Sequence, residues 1–272
     1  MKKSFLLSAI LFWILMGSLS LVVSLFFLEV SQTIDLSNSY LPPNGLHLLG
    51  TDSLGRDLLV RLLIGFKNTC LIGLTSATFS LLIGMGVGVF AAFVGGSVEA
   101  LIFRLVEVFD SVPSLIWVSV FFYASRSYFP DSTVAFQIIF AMILVGWIPS
   151  SRIARTVTHK ILVQEYVQAA TALGASRVRI VFFHLFPNMW KSMVVSFSYS
   201  LTHFFIFDSV LSFIGFGIQP PDVSWGTLIL DGWNHIAYYP HLLLGPALLL
   251  FATLFSLNLV IEFFKNEKEI YL

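Results

Sequence analysis

The chain has 272 residues, 57% of them hydrophobic and 11% charged, with a mean hydropathy of +0.89. So apolar a sequence is excluded from being a water-soluble domain of this length and needs lipid as its solvent. Fifteen basic residues balance fifteen acidic ones, so net charge singles out no partner, and one cysteine, Cys70, supports neither an internal disulfide nor a cysteine-built metal site.

Lys2 and Lys3 open an apolar run reaching residue 28. It is too long for a signal-peptide core and no convincing small-x-small cleavage site follows, so it reads as an uncleaved first span with a cytoplasmic N-terminus. The segment 29–68 reads as external, with Asp52, Arg56 and Asp57 placed to pair or to cap helix ends. Five further apolar stretches, at 69–94, 101–123, 134–150, 192–216 and 241–264, have the length of roughly 20 residues that a bilayer-crossing helix requires. They lack strict alternation, which argues against a barrel. The expectation is an all-α membrane protein of six transmembrane helices with both termini cytoplasmic. Residues 69–264 form its core, 150–191 a long cytoplasmic loop inside that core, and 265–272 a cytoplasmic tail. In this orientation eleven lysines and arginines fall on the cytoplasmic side and four outside, as the positive-inside rule requires.

Within the spans, Gly84 and Gly88 have the small-x-x-x-small spacing of close helix contacts in lipid. Arg104 and Glu107 are spaced for a local ion pair. Asp208 is the one carboxylate well inside a predicted span, where lipid exposure would cost about 2.5 to 3.5 kcal/mol. It is expected to face protein or water, either as a helix contact or in a translocation path. His203, five residues earlier, is too far round the helix to pair with it strongly.

The loop 150–191 is the most informative stretch. Ile161, Leu162, Tyr166, Val167, Ala170 and Leu173 recur at spacings of three and four, which predicts a short amphipathic helix broken near Gly174. Gly174 suits a left-handed cap, and Ser176 suits the N-cap of a second helix, 177–185, that Pro187 would end or bend. Ala169, Ala170, Ala172 and Ala175 would let another protein approach closely. On the residues alone, two readings stand: a docking surface for a cytoplasmic partner, or an ordinary basic loop.

The run Glu165-Tyr-Val-Gln-Ala-Ala-Thr-Ala-Leu-Gly-Ala-Ser-Arg-Val-Arg-Ile-Val-Phe-Phe-His-Leu-Phe-Pro-Asn188 resembles the EAA loop of ATP-binding-cassette importer permeases, most closely their dipeptide/oligopeptide/nickel branch. Ala169, Ala170, Gly174 and Pro187 occupy that motif's positions, while Gln168 replaces the triplet's glutamate and Glu165 matches the branch's usual acid one turn earlier. His47-Leu-Leu-Gly-Thr-Asp-Ser-Leu-Gly-Arg-Asp57 and Leu211-Ser-Phe-Ile-Gly-Phe-Gly-Ile-Gln-Pro-Pro221 are similar to further segments of the same branch.

The resemblance implies the type I importer permease fold in a bacterial inner membrane and a transport subunit importing di- or oligopeptides. It also implies a second homologous permease, two cytoplasmic ATP-binding subunits and an extracytoplasmic substrate-binding protein, with membrane lipid around the chain and no nucleic acid. Glu165, Gln168, Ala169, Ala170, Gly174, Ala175, Ser176 and Pro187 would form the ATPase-coupling loop. The chain contains no G-x-x-x-x-G-K-[ST] phosphate loop, so ATP and Mg are expected on the partner subunits, with no cofactor bound here and no catalytic residue. His47, His235 and His241 all fall toward the outside and keep a nickel or metal-chelate importer open as the alternative, although their spacing matches no metal site. A secondary transporter is the remaining alternative, and would be expected to show inverted repeats or several intramembrane ionisable residues.

Overall fold

The computed structural model describes residues 2–29 and 32–268, with side chains from 5 to 265 within those ranges. The side chains of Lys2, Lys3 and Lys268 and positions 269–272 of the predicted tail lie outside the described residues. Among the described residues ten α-helices follow one another: α1 Lys2–Phe26, α2 Leu58–Val94, α3 Gly96–Asp110, α4 Ser114–Tyr128, α5 Val134–Leu162, α6 Glu165–Ala172, α7 Arg177–Ile180, α8 Phe186–Phe213, α9 Trp225–Asn234 and α10 His241–Lys268. No strand occurs among the described residues beyond an isolated bridge between Thr51 and Asp57.

The direction of each helix follows from its neighbours. Ser76 of α2 lies against Met142 of α5, and further along Gly84 faces Trp147 and Ser150 while Gly88 faces Ser151 and Ala154. Helices α2 and α5 therefore run parallel, and the chain between them must cross back once. That return is made by α3 and α4, which are bent by 89° to one another. Helix α8 runs the opposite way to α2, with Ser196 beside Ser150 at 3.1 Å near one end and Asp208 beside Thr69 near the other. Ser20 of α1 bonds the Leu63 carbonyl, Trp13 bonds Ser256 of α10, and Gly245 sits by Leu62, so α1 and α10 complete the alternation. Among the described residues, five single helices and one bent pair are long and apolar enough for six crossings, which puts the start of α1 and the end of α10 on the same side.

Several predicted boundaries shift. Helix α2 begins at Leu58 instead of 69, because Asp57 caps it by accepting from the Val60 amide, so the last part of the predicted external segment 29–68 is helical. The predicted span 101–123 is two helices, broken where Pro113 can neither donate a backbone hydrogen bond nor let its predecessor stay helical. Helix α5 passes through Pro149 and continues to Leu162, well past the apolar stretch, with Ser150, Ser151, Ala154 and Thr158 buried along it. Hydropathy marks where lipid ends; a helix extending into the cytoplasm continues beyond that point.

The core fills the space between α2, α5 and α8. Gly84 and Gly88 bring α5 against α2: a Cβ at Gly88 would stand 2.8 Å from the Ala154 Cβ, and one at Gly84 would stand 2.7 Å from the Ser150 Cβ. At the inner end Glu99 Oε1 accepts a hydrogen bond from Arg155 and lies 2.7 Å from His159 Nε2, while Arg152 pairs with Asp110 at 2.8 Å. These contacts fasten the amphipathic α3 onto the cytoplasmic extension of α5. The Arg155 guanidinium also lies 4.3 Å above the Phe103 ring.

Candidate partner-docking turn and membrane groove

At the cytoplasmic end, α5 stops at Leu162 and the chain turns through Val163 and Gln164 into α6. The predicted amphipathic run is thus divided: Ile161 and Leu162 belong to α5, and Glu165, Tyr166, Val167, Gln168, Ala169 and Ala170 to α6. Helix α6 ends in a Schellman motif. The Ala175 amide bonds the Ala170 carbonyl and the Gly174 amide bonds the Thr171 carbonyl, each at 3.0 Å, with Gly174 at φ +83°. A side chain at Gly174 would meet nothing within 4 Å, so within this chain the position requires glycine for its backbone angle and has room for more. Ser176 then caps α7 by accepting from the Arg179 amide at 3.3 Å.

One face of this unit is anchored. Val167, 1% exposed, packs with Ile161, Ile180, Leu185 and Met189, and Ala175 lies against the same cluster. The other face is open: Leu173 at the tip is 89% exposed, and Tyr166, Val178 and Phe182 are exposed beside it. Glu165 lies exposed in the first turn of α6, where a carboxylate suits the helix dipole. Gln168 donates to the Val163 carbonyl at 3.2 Å, so its side chain bridges back across the break between α5 and α6.

Pro187 departs from expectation. It neither ends nor sharply bends the second helix, because α7 runs on through a π-helical turn, Val181–Leu185, into α8, giving one helix from Arg177 to Phe213. The wider turn lets the Phe186 amide reach back to the Val181 carbonyl, and Asn188 Nδ2 takes the His184 carbonyl at 2.6 Å. The proline's missing donor is absorbed within the helix.

Asp208 is remote from this turn, toward the outer end of α8. It is 1% exposed, and Thr69 of α2 donates to its Oδ2 at 3.3 Å. The same Thr69 hydroxyl accepts from the Trp225 amide, and the fully buried Trp225 indole donates to the Leu62 carbonyl at 2.9 Å. Asp208 thereby joins α2, α8 and α9 in one polar node.

A groove of about 650 Å³ opens instead between the α3–α4 bend, α5 and α8. Asp110, Val118, Gly146, Tyr199 and His203 are among its walls, and Asp208 is not. The exposed His203 stacks on Phe207 at 4.6 Å between ring centres. In the sequence His203 has only Asp208, five residues on, as a candidate partner, and that spacing hides its place in the groove. An ionisable side chain in a span is itself the signal that it faces water or protein.

The outer end is densely bonded. Asp52, 1% exposed, accepts from Arg56 Nε at 2.8 Å and Arg61 at 2.9 Å, and its other oxygen takes the Leu54 and Arg56 amides. Tyr40 stacks on Tyr239 at 4.2 Å and its hydroxyl lies 3.1 Å from His235 Nε2. His47 pairs with Asp57 and His241 packs against Tyr239 and Gly50, and no group of three His, Cys, Asp or Glu side chains placed to hold a metal occurs among the described residues. Burial lifts the Asp231 carboxyl above its ordinary range, with nearby His235 opposing the rise. Hydrogen bonds from Ser37 and Asn38 hold Asp35 below it.

The family model for binding-protein-dependent transport system inner membrane components matches residues 84–266. The chain belongs to that family. This inner membrane component is 35% identical over 229 residues to the oligopeptide transport system permease protein OppC of Bacillus subtilis (strain 168), covering 84% of this chain and 73% of that protein. It is 35% identical over 216 residues to OppC of Haemophilus influenzae, covering 79% and 68%, and 34% identical over 221 residues to OppC of Mycobacterium tuberculosis (strain H37Rv), covering 80% and 74%. Its fold matches a chain of the inward-facing MetNI methionine ABC transporter with a TM-score of 0.64 at 18% identity, over 75% of this chain and 93% of that one. A second crystal form gives 0.62 over 75% and 94%. This component is therefore a multi-pass bacterial inner-membrane protein with a type I ABC importer permease fold, and its family serves transport.

Proposed function

We propose that this chain imports peptides as one of two permease subunits, energised by ATP-binding subunits that dock on the α6–Gly174–α7 turn. The carrying observation is the division of that turn into an anchored and an open face. Val167 and Ala175 tie it to the bundle, while Leu173 and its neighbours present apolar surface to the cytoplasm. A loop serving only as a connection has no reason to fix such a surface on a rigid helix pair. With Gln168 engaged by the Val163 carbonyl, recognition rests on the shape of the turn more than on a triplet carboxylate.

The groove beside His203 is the path in this reading, closed on its open side by the second permease. Residues 29–57 and the segment around α9 meet the extracytoplasmic binding protein. The peptide assignment rests on the likeness to OppC proteins. The test is uptake of a labelled tripeptide in cells lacking this chain. Uptake should vanish, return with the wild-type chain, and require cytoplasmic ATP, and an ATP-binding subunit should co-purify with the restored chain. Unchanged peptide accumulation in the deletion would overturn the substrate class, and accumulation without ATP would overturn the coupling.

A further inference from the structure

One wall of the groove between the α3–α4 bend, α5 and α8 is a single helix face. Ser196, Tyr199, Ser200, His203, Ile206 and Phe207 of α8 line it, at spacings of three and four that set them in one stripe along the helix. From Ser196 to Phe207 the stripe rises about 16 Å, the reach of about five residues of extended peptide. The other walls include Val118 of α4 and Met142, Val145 and Gly146 of α5.

This stripe differs from a surface made for lipid. Ser198 and Thr202 satisfy their hydroxyls on the Val194 and Ser198 carbonyls of their own helix. The Tyr199 and Ser200 hydroxyls and the His203 ring have no hydrogen-bond partner among the described residues, although all three lie inside a candidate span. Hydrocarbon would leave them unsatisfied, so they face water, substrate or protein. Free charge is scarce beside them: among the described residues Asp110 is the one carboxylate on the groove's walls, Arg152 pairs with it at 2.8 Å, and no lysine or arginine lines the groove.

The outer half of the stripe is flat. His203 stacks on Phe207 with ring centres 4.6 Å apart and planes at 29°. The neighbouring Phe204 ring is buried in the space that Gly146 leaves by having no side chain, since a Cβ there would collide with it. The rest of the His203 ring stands exposed in the groove.

We propose that His203 and Phe207 form a shelf on which an aromatic side chain of the passing peptide stacks, making His203 a specificity-determining residue of the path. The inference rests on the peptide reading above and adds which peptides are favoured. An aromatic ring prolongs the His203–Phe207 stack, whereas a charged side chain would find no free counter-ion on these walls. Tyr199 and Ser200, within about one turn of His203, supply hydroxyls for the main-chain amides beside that ring.

The test supplies Ala-Phe-Ala and Ala-Leu-Ala, differently labelled and in equal amounts, to cells in which this chain is replaced by each variant. Their uptake ratio compares kcat/KM values, so it is independent of how much transporter reaches the membrane, and the binding protein contributes the same factor throughout. His203→Ala should lower the ratio of aromatic to aliphatic peptide about fivefold, the worth of one aromatic pair. His203→Phe, which keeps a ring, should hold that ratio within about twofold of wild type. A ratio unchanged in His203→Ala would overturn the shelf, as would a fall of the same size in His203→Phe. Equal loss of both peptides, with loss of the second permease from the purified complex, would overturn it by assigning the ring to the subunit contact. Failure of the wild type to accumulate either peptide would overturn the peptide reading itself, and the shelf with it.

Discussion

At the outer end of the bundle, Arg56 and Arg61 are both engaged by the buried Asp52, and Tyr40, Tyr239 and His235 close over one another. At the cytoplasmic end, Arg177 and Arg179 lack ion-pair partners among the described residues, and Leu173 stands in the open. The difference lies in where bonding capacity is satisfied. The buried charges of the outer end are met within one chain, so Asp52 and its partners act on stability, while Leu46 and Tyr238 stand as open there as Leu173 does at the inner end. The inner end leaves apolar and cationic groups unmet, so its residues should act through whatever covers them.

Substitutions can break that contrast, and the largest effect is expected outside. Asp52→Ala would strand two buried guanidinium groups, costing about 3 to 5 kcal/mol, and should appear as loss of folded protein in thermal unfolding of the purified chain. Gly88→Leu at the α2–α5 contact should cost about 1 to 3 kcal/mol by forcing the helices apart, measured the same way. A Gly174→Asp variant should lose about 1 kcal/mol for a side chain in the left-handed region, yet abolish both peptide uptake and co-purification of an ATP-binding subunit. Its companion Gly174→Asn tolerates that backbone better, so uptake lost in both variants would place the defect in the contact and not in the turn. Smallest in stability is Leu173→Ser, which should leave unfolding unchanged while weakening ATPase association in pull-downs. A Leu173→Ser protein that unfolds early, or an Asp52→Ala protein that folds normally but fails in transport, would erase the distinction between the two ends.

The sequence revealed those parts of the structure that depend on local chemistry. Gly174 and Ser176 were readable because a left-handed cap and an N-cap each have few suitable residues, and Gly84 and Gly88 because their spacing puts them on one helix face. Contacts between distant positions were hidden. Glu99 and Arg155 are 56 positions apart, and nothing around either announces the other. The same is true of Thr69, Asp208 and Trp225, which meet only once α2, α8 and α9 are packed. Pro187 was legible only as a residue that ends or bends a helix, because the sequence does not show that a π-helical turn can accommodate its missing donor inside a continuous one. The reach of α5 beyond 150 was missed because its cytoplasmic part is polar yet buried by neighbouring elements.

The unbroken helix from Arg177 to Phe213 has a mechanical consequence. At 1.5 Å per residue it is a rod of roughly 55 Å, longer than the hydrocarbon it crosses. One end is tied to Ser176 and the Gly174 turn, and the other carries Asp208, hydrogen-bonded to Thr69 of α2. Under the proposed coupling, a tilt imposed at the cytoplasmic end would reach the outer node by leverage, without a relay of side-chain rearrangements. In that proposal the π turn at Val181–Leu185 is the compliant joint, and would set how much of each movement arrives.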